Sequence, residues 1–95
     1  LSEKPLTGQR VLYCLTQQDA ERIVQLRDQA DQVLSGQRGN YVAEGQYFAA
    51  DVVQTFLGNP DGRANLQVRL DGPDSYWVTS VPFGQGPGTW RRTAF

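Results

Sequence analysis

The stretch Asn65-Leu66-Gln67-Val68-Arg69-Leu70-Asp71-Gly72-Pro73-Asp74-Ser75-Tyr76-Trp77-Val78-Thr79-Ser80-Val81 reads as two β-strands folded back on each other. Leu66, Val68 and Leu70 alternate with Gln67 and Arg69, the period of a half-buried strand. Asp71 to Ser75 is a dense turn signal, since Gly tolerates positive φ and Pro presets φ for a turn. Tyr76, Val78 and Ser80 then alternate with Trp77, Thr79 and Val81. A five-residue loop pairs Leu70 with Tyr76, Val68 with Val78 and Leu66 with Ser80 on one face. The other face pairs Arg69 with Trp77 and Gln67 with Thr79. A one-residue slip sets Val68 against Trp77 and mixes polar with apolar partners, which favours the first register. In that register Trp77 lies beside Arg69, a cation–π arrangement worth roughly 0.5–1 kcal/mol when exposed.

Upstream, Gln46 to Leu57 is the longest strand, with Phe48, Ala50, Val52 and Phe56 on one face. Tyr47, Ala49, Asp51, Val53 and Thr55 take the other, and Gln54 breaks the pattern. Such a break marks a bend or bulge of the kind barrels use to turn a corner. Asn59-Pro60-Asp61-Gly62 is a type I turn signal. It joins this strand to Ala64–Leu70 and makes three consecutive antiparallel strands. Tyr41 to Gln46 is short and irregular, with Gly45 as a turn residue.

Residues 1–8 read as a flexible N-terminal arm containing Pro5, and residues 9–95 as one small β-barrel domain with an inserted helix over 17–35. Gln9 to Leu15 is the first strand, apolar on both faces and therefore expected to be covered on both sides. Cys14 lies within it and reads as a buried structural thiol. Thr16 is a helix N-cap candidate, with Asp19 three residues on as a variant capping box. Ala20, Ile23, Leu26, Ala30, Val33 and Leu34 form one helical stripe, widened by Val24. The stripe suits a helix lying on the barrel, with docking of a partner as the sharper reading. Gly36 and Gly39 end the helix, and residues 35–40 have the composition of a mobile linker.

Downstream, residues 84–88 form a glycine loop after Phe83. It is not a phosphate cradle, because no Lys-Ser/Thr pair and no helix pattern follow it. Thr89 to Ala94 is a last strand, with Trp90 on the same face as Arg92 and Ala94, and Arg91 facing the other way. Phe83 and Pro87 are placed to pack on Trp90. The elements add up to a mainly β domain with one helix, a small partly open antiparallel barrel of the Src-homology-3-like type. An α+β sheet with one helix packed on it is the alternative.

The composition narrows the chemistry. The chain has 95 residues, a formal charge of −1, one cysteine and no histidine. That is one domain with a modest core and no global field drawing it to nucleic acid or membrane. A lone cysteine excludes an internal disulfide framework and suits a reducing compartment. The absence of histidine removes the commonest acid–base group near neutral pH and the commonest metal ligand. No metal-ligand spacing or paired carboxylates stand out, so we expect no enzyme and no cofactor. No apolar run spans a bilayer and no signal peptide is visible, so secretion by that route is not expected. The sequence begins at Leu1 and contains no methionine, which suggests a processed or excised start.

Between Asn65 and Trp90 the chain resembles a group of short, mostly uncharacterised proteins encoded by tailed bacteriophages and prophages. The residues that carry the likeness are Asn65-Leu66-Gln67-Val68, Leu70-Asp71-Gly72, Asp74, Tyr76-Trp77-Val78-Thr79-Ser80 and Pro87-Gly88-Thr89-Trp90. Val11-Leu12-Tyr13, Leu15-Thr16, Gly45 and Ala50-Asp51-Val52-Val53 add to it. The group tends to place a Pro after its first Trp and to end in a second Trp, whereas Arg91 and Arg92 follow Trp90 here. The group carries no assigned activity. The resemblance implies a phage-encoded accessory or virion protein, in the host's bacterial cytoplasm or in the phage particle. Separately, Gly45 to Val53 looks like the opening of many small barrels that read modified peptides or nucleic acids, a likeness of fold rather than function.

The functional expectation is a non-enzymatic protein–protein interaction module, contacting a capsid or tail protein or a host protein. Its surface is an aromatic and arginine face of Arg69, Tyr76, Trp77, Phe83, Trp90 and Arg91, residue types enriched where interfaces carry energy. For Trp77 and Trp90 the competing reading is ordinary core. The edge of a partly open barrel also permits self-association. The alternative is a small nucleic-acid-binding barrel using Arg63, Arg69, Arg91 and Arg92, with Trp77 and Trp90 for base stacking. Asp61, Asp71 and Asp74 in the same region argue against it.

Overall fold

The computed structural model describes residues 4–34, 41–56, 58, 62–72 and 74–93, with helix side chains described through residue 29. Five strands and one helix follow in the order β1 (Arg10–Cys14), α1 (Gln17–Leu34), β2 (Tyr47–Thr55), β3 (Ala64–Arg69), β4 (Ser75–Val81) and β5 (Trp90–Arg92). The strands form one antiparallel sheet in the order β4-β3-β2-β1-β5, so β2, β3 and β4 are a meander and β5 returns beside β1. The protein is mainly β with one helix. The barrel does not close. Phe83 and Trp90 form a single parallel bridge, through Gly84 N–H to the Trp90 carbonyl at 3.0 Å and Trp90 N–H to the Pro82 carbonyl at 3.0 Å.

The expected bulge in the long strand is present. Val52 pairs with Leu66 but Gln54 with Asn65, so β2 carries one extra residue there. β4 carries another: Leu66 pairs with Val78 but Ala64 with Val81. Both irregularities flank Asn65. Its side-chain oxygen accepts the Ser80 N–H at 2.9 Å, and Arg63 donates to the Ser80 carbonyl at 2.9 Å. These bonds hold Ser80 at φ 51, a left-handed conformation costly for a residue with a Cβ.

The hairpin register differs from the sequence expectation by two residues. Val68, not Leu70, faces Tyr76, and Gln67, not Arg69, faces Trp77. Leu70 leaves the strand at the turn, where its carbonyl accepts the Gly72 N–H at 2.9 Å. A shift of two preserves which side chains share a face. The expected Arg69–Trp77 pairing is therefore not formed, since Arg69 faces Ser75.

Val11, Tyr13, Ala50, Val52, Leu66, Val68, Val78 and Trp90 line the inner face, and Leu15, Ile23, Val42, Ala64, Leu70 and Val81 join them in the core. Trp90 is fully buried and donates from its indole Nε1 to the Gly62 carbonyl at 2.8 Å. The helix starts as expected: Asp19 N–H donates to Thr16 Oγ1 at 2.9 Å and Thr16 N–H to Asp19 Oδ2 at 3.0 Å. Its contact with the sheet is narrower than the apolar stripe suggests. Ile23 is buried and Ala20 half-buried, while Val24 and Leu26 are exposed and Arg27 is buried instead. The side chains of Ala30, Val33 and Leu34, and the whole of the linker at 35–40 and of the turn at Asn59-Pro60-Asp61, lie outside what the structure describes. Cys14 is buried, as expected, and Leu12 is half-buried. The arm is already tied down at its end: Gly8 N–H bonds the Val52 carbonyl at 2.7 Å, and Val52 N–H bonds the Gln9 carbonyl at 2.9 Å. Among the described residues no helix is long and apolar enough to cross a membrane.

Candidate functional site

Direct cross-strand partners share a face, so the register defines the surface opposite the core. Arg10 faces Asp51, Asp51 faces Gln67 and Gln67 faces Trp77, a row running across β1, β2, β3 and β4. Beside it, Arg91 faces Leu12, which faces Ala49, and Cys14 faces Tyr47. The centre of this outer face is Asp51. It accepts from Arg10 Nε at 2.9 Å and lies 3.0 Å from Arg69 Nη2. The Arg10 hydrogen bond, with a smaller contribution from Arg69, holds the Asp51 carboxyl below the usual range against the opposing effect of burial. At the β5 end the Arg91 guanidinium sits 5.7 Å from the centre of the Tyr47 ring, a cation–π contact.

Trp77 is 53% exposed near the middle of β4. An indole in that position keeps much of its apolar area in water, where a partner could remove it. Val53, 44% exposed at the β2 bulge, adds a second apolar side chain to the exposed surface.

The six expected contact residues therefore separate. Arg69 and Trp77 lie on the outer face on neighbouring strands, and Arg91 lies at its far edge. Phe83 is on the closing segment, where its ring meets Trp90 edge-on at 4.9 Å, and it lines a shallow depression with Arg91 and Arg92. Tyr76 points to the inner side, half-buried. Trp90 is withdrawn altogether: its complete burial leaves no ring surface for a partner, and the ordinary-core reading holds for it. Sequence reasoning missed Arg10, Tyr47 and Asp51, whose common face was readable from strand alternation once β1 and β2 were paired.

The inner side holds a polar cluster. Asp19 accepts the Tyr13 hydroxyl on Oδ2 and the Tyr76 hydroxyl on Oδ1 at 3.2 Å. One carboxylate thus joins α1 to β1 and β4. Burial first, then the Asp19 carboxylate, push the Tyr13 phenol far above its ordinary range, and the same causes raise Tyr76. Both phenols keep their protons and act as donors, not as bases. Burial likewise raises the Cys14 thiol, which keeps it protonated and unreactive near neutral pH.

Comparison with protein-family models, curated proteins and solved structures returned no match.

Proposed function

We propose that this protein is a non-enzymatic interaction module that docks a protein partner on the outer face of its sheet, around Trp77, Gln67 and Arg69. The observation that carries this reading is Trp77: a large aromatic ring, 53% exposed, on a regular strand and beside hydrogen-bonding side chains. The sequence resemblance supports a phage-encoded accessory or virion protein with a capsid, tail or host protein as partner. The strand order, with β5 returned beside β1, supports the Src-homology-3-like type. The nucleic-acid alternative is weakened by Asp51, which offsets the positive charge of Arg10 and Arg69 at the centre of the face.

The test is paired affinity capture from phage-infected lysate with the wild type and Trp77→Ala, read by quantitative mass spectrometry. A specific protein retained by the wild type and lost by Trp77→Ala, at unchanged thermal unfolding, supports the reading. Capture dominated by nucleic acid, weakening steeply with salt, replaces it with the alternative.

A further inference from the structure

The sheet has two edges, and they are built differently. β5 is three residues long and carries Arg91 and Arg92, two of the usual protections of an edge strand. β4 runs seven residues, Ser75–Val81, with no charge and no proline. Among the described residues, no hydrogen bond reaches the backbone of residues 75–79 on the side away from β3. The bulge at Ser80 protects the far end of β4, while at its near end α1 is tied to Tyr76 by Asp19 and to Asp74 by Arg27.

Opposite this bare edge stands a wall formed by Tyr13, Asp19 and Gly88. Gly88 is fixed there by its N–H bond to the Cys14 carbonyl at 2.9 Å. The space between is a groove of about 360 Å³, lined along one side by consecutive residues Tyr76 to Val81. It is the seam left where the barrel fails to close. Its charged lining group is Asp19, whose oxygens take bonds from Tyr13, Tyr76 and the Thr16 N–H. Asp19 has no ion-pair partner among the described residues. Arg22, one turn further along α1, lies near enough for its charge to act on the Tyr76 phenol, but it is hydrogen-bonded to Gln25 at 3.5 Å, makes no ion pair with Asp19 and is not part of the groove lining.

We infer that the seam takes an extended peptide segment of a protein partner, added as a strand along β4, with a lysine or arginine of the guest on Asp19. The unused backbone donors and acceptors of β4 supply the main-chain bonds by which strand addition gains affinity. A half-buried carboxylate held by neutral donors is completed by a cation, and the flanking Tyr76 ring favours one further. Trp77 borders both surfaces, but they rest on different groups: the groove on the β4 backbone and Asp19, the outer face on the Trp77 ring, which points away from the Tyr76 side. Either can fail without the other.

The test uses isotope-labelled protein and synthetic acetylated Thr-Val-Arg-Val-Thr peptide, followed by amide NMR. The Arg peptide should shift the amides of Tyr76 to Thr79 and bind about tenfold more tightly than the same peptide with Glu at its centre. Methylating alternate backbone nitrogens of the Arg peptide should abolish the shifts. Asp19→Asn should erase the preference for Arg over Glu; where that variant loses its fold, the methylated and Glu peptides on the wild-type protein still decide. Absence of β4 shifts, equal binding of the Arg and Glu peptides, or shifts confined to the outer face overturns the inference. So do β4 amides that move with protein concentration alone, which would assign the edge to a second copy of this chain.

Discussion

Arg27 and Asp74 meet as a bidentate pair across the junction of helix and sheet. The guanidinium donates from Nε at 2.7 Å and from Nη2 at 3.2 Å to the two carboxylate oxygens. The Arg27 side chain is 6% exposed and that of Asp74 33%. Arg27 therefore gives up most of its hydration for this contact, and Asp74 only part. Replacing Arg27 by Ala should destabilise the fold by about 1–3 kcal/mol in urea denaturation, the lower half being favoured by the solvent still reaching Asp74. A double-mutant cycle with Asp74→Ala should show coupling; additive effects would mean that the pair contributes nothing beyond packing.

Stability should fall on acidification. Arg27 holds the Asp74 carboxyl below its usual range, and Arg10 and Arg69 do the same for Asp51. Both groups give up charge less readily folded than unfolded. The unfolded chain thus binds more protons as pH drops through about 4, and the stability these carboxylates contribute above that pH is lost below it. The midpoint of urea unfolding should hold from pH 7 to about 5 and then decline. Asp74→Asn should flatten the decline.

The alkaline limb should belong to the tyrosines around Asp19. Tyr13 and Tyr76 are raised by burial and by the carboxylate they bond. Their contribution is complete below about pH 10, where an unfolded tyrosine ionises, and is lost as pH rises beyond it. Carbon-detected NMR of the tyrosine rings should show Tyr13 and Tyr76 still protonated at pH 10. Ionisation of Tyr13 at the free-tyrosine value would contradict its buried bond to Asp19.

The two tryptophans should separate in every optical and stability measurement. Trp90→Ala should cost about 3–5 kcal/mol, because it empties a fully buried site and leaves the Gly62 carbonyl without its indole donor. Trp77→Ala should stay within about 0.5 kcal/mol of the wild type. In the intact protein acrylamide should quench Trp77 and spare Trp90. Protection of Trp77 as complete as that of Trp90 would place it in the core.

Cys14 reports on opening. Its thiol is buried and its ionisation suppressed by that burial. Labelling by a thiol reagent at pH 8 should track the unfolding equilibrium as urea is added, and rapid labelling in its absence would show that β1 opens locally.

Much of the fold is legible in the sequence, for a physical reason. Side-chain alternation in Leu66–Leu70 and Tyr76–Val81 reports which residues share a face, and the faces are as read through Thr79; beyond it the bulge exposes Ser80 and buries Val81, the reverse of the expectation. It cannot distinguish registers two residues apart, because both bury the same set. The Val68–Tyr76 pairing was therefore lost to an equally apolar alternative. The bulge was visible at Gln54 because a polar residue stood where the core face was due. Arg27 escaped notice although it lies four residues beyond Ile23, on the same helical face. Its burial is understood through its pairing with Asp74, 47 residues away. Asp19 was legible as a cap, through Thr16 three residues before it, but not as the tie to Tyr76, 57 residues on. Of the surface, Trp77 and Arg69 were readable from their polar neighbours. Trp90 was not, since a strand of three residues is too short to declare which of its sides is covered.

The left-handed Ser80 limits what the open edge can build. Extended geometry in β4 ends at Thr79, so an added strand finds matching backbone only over residues 75–79. The opposite margin of the sheet is short and doubly cationic at Arg91 and Arg92. On the strand-addition inference, one molecule therefore offers a single short stretch for pairing, β4 over residues 75–79. A stretch that short suits the recognition of one segment rather than the propagating pairing of a fibre.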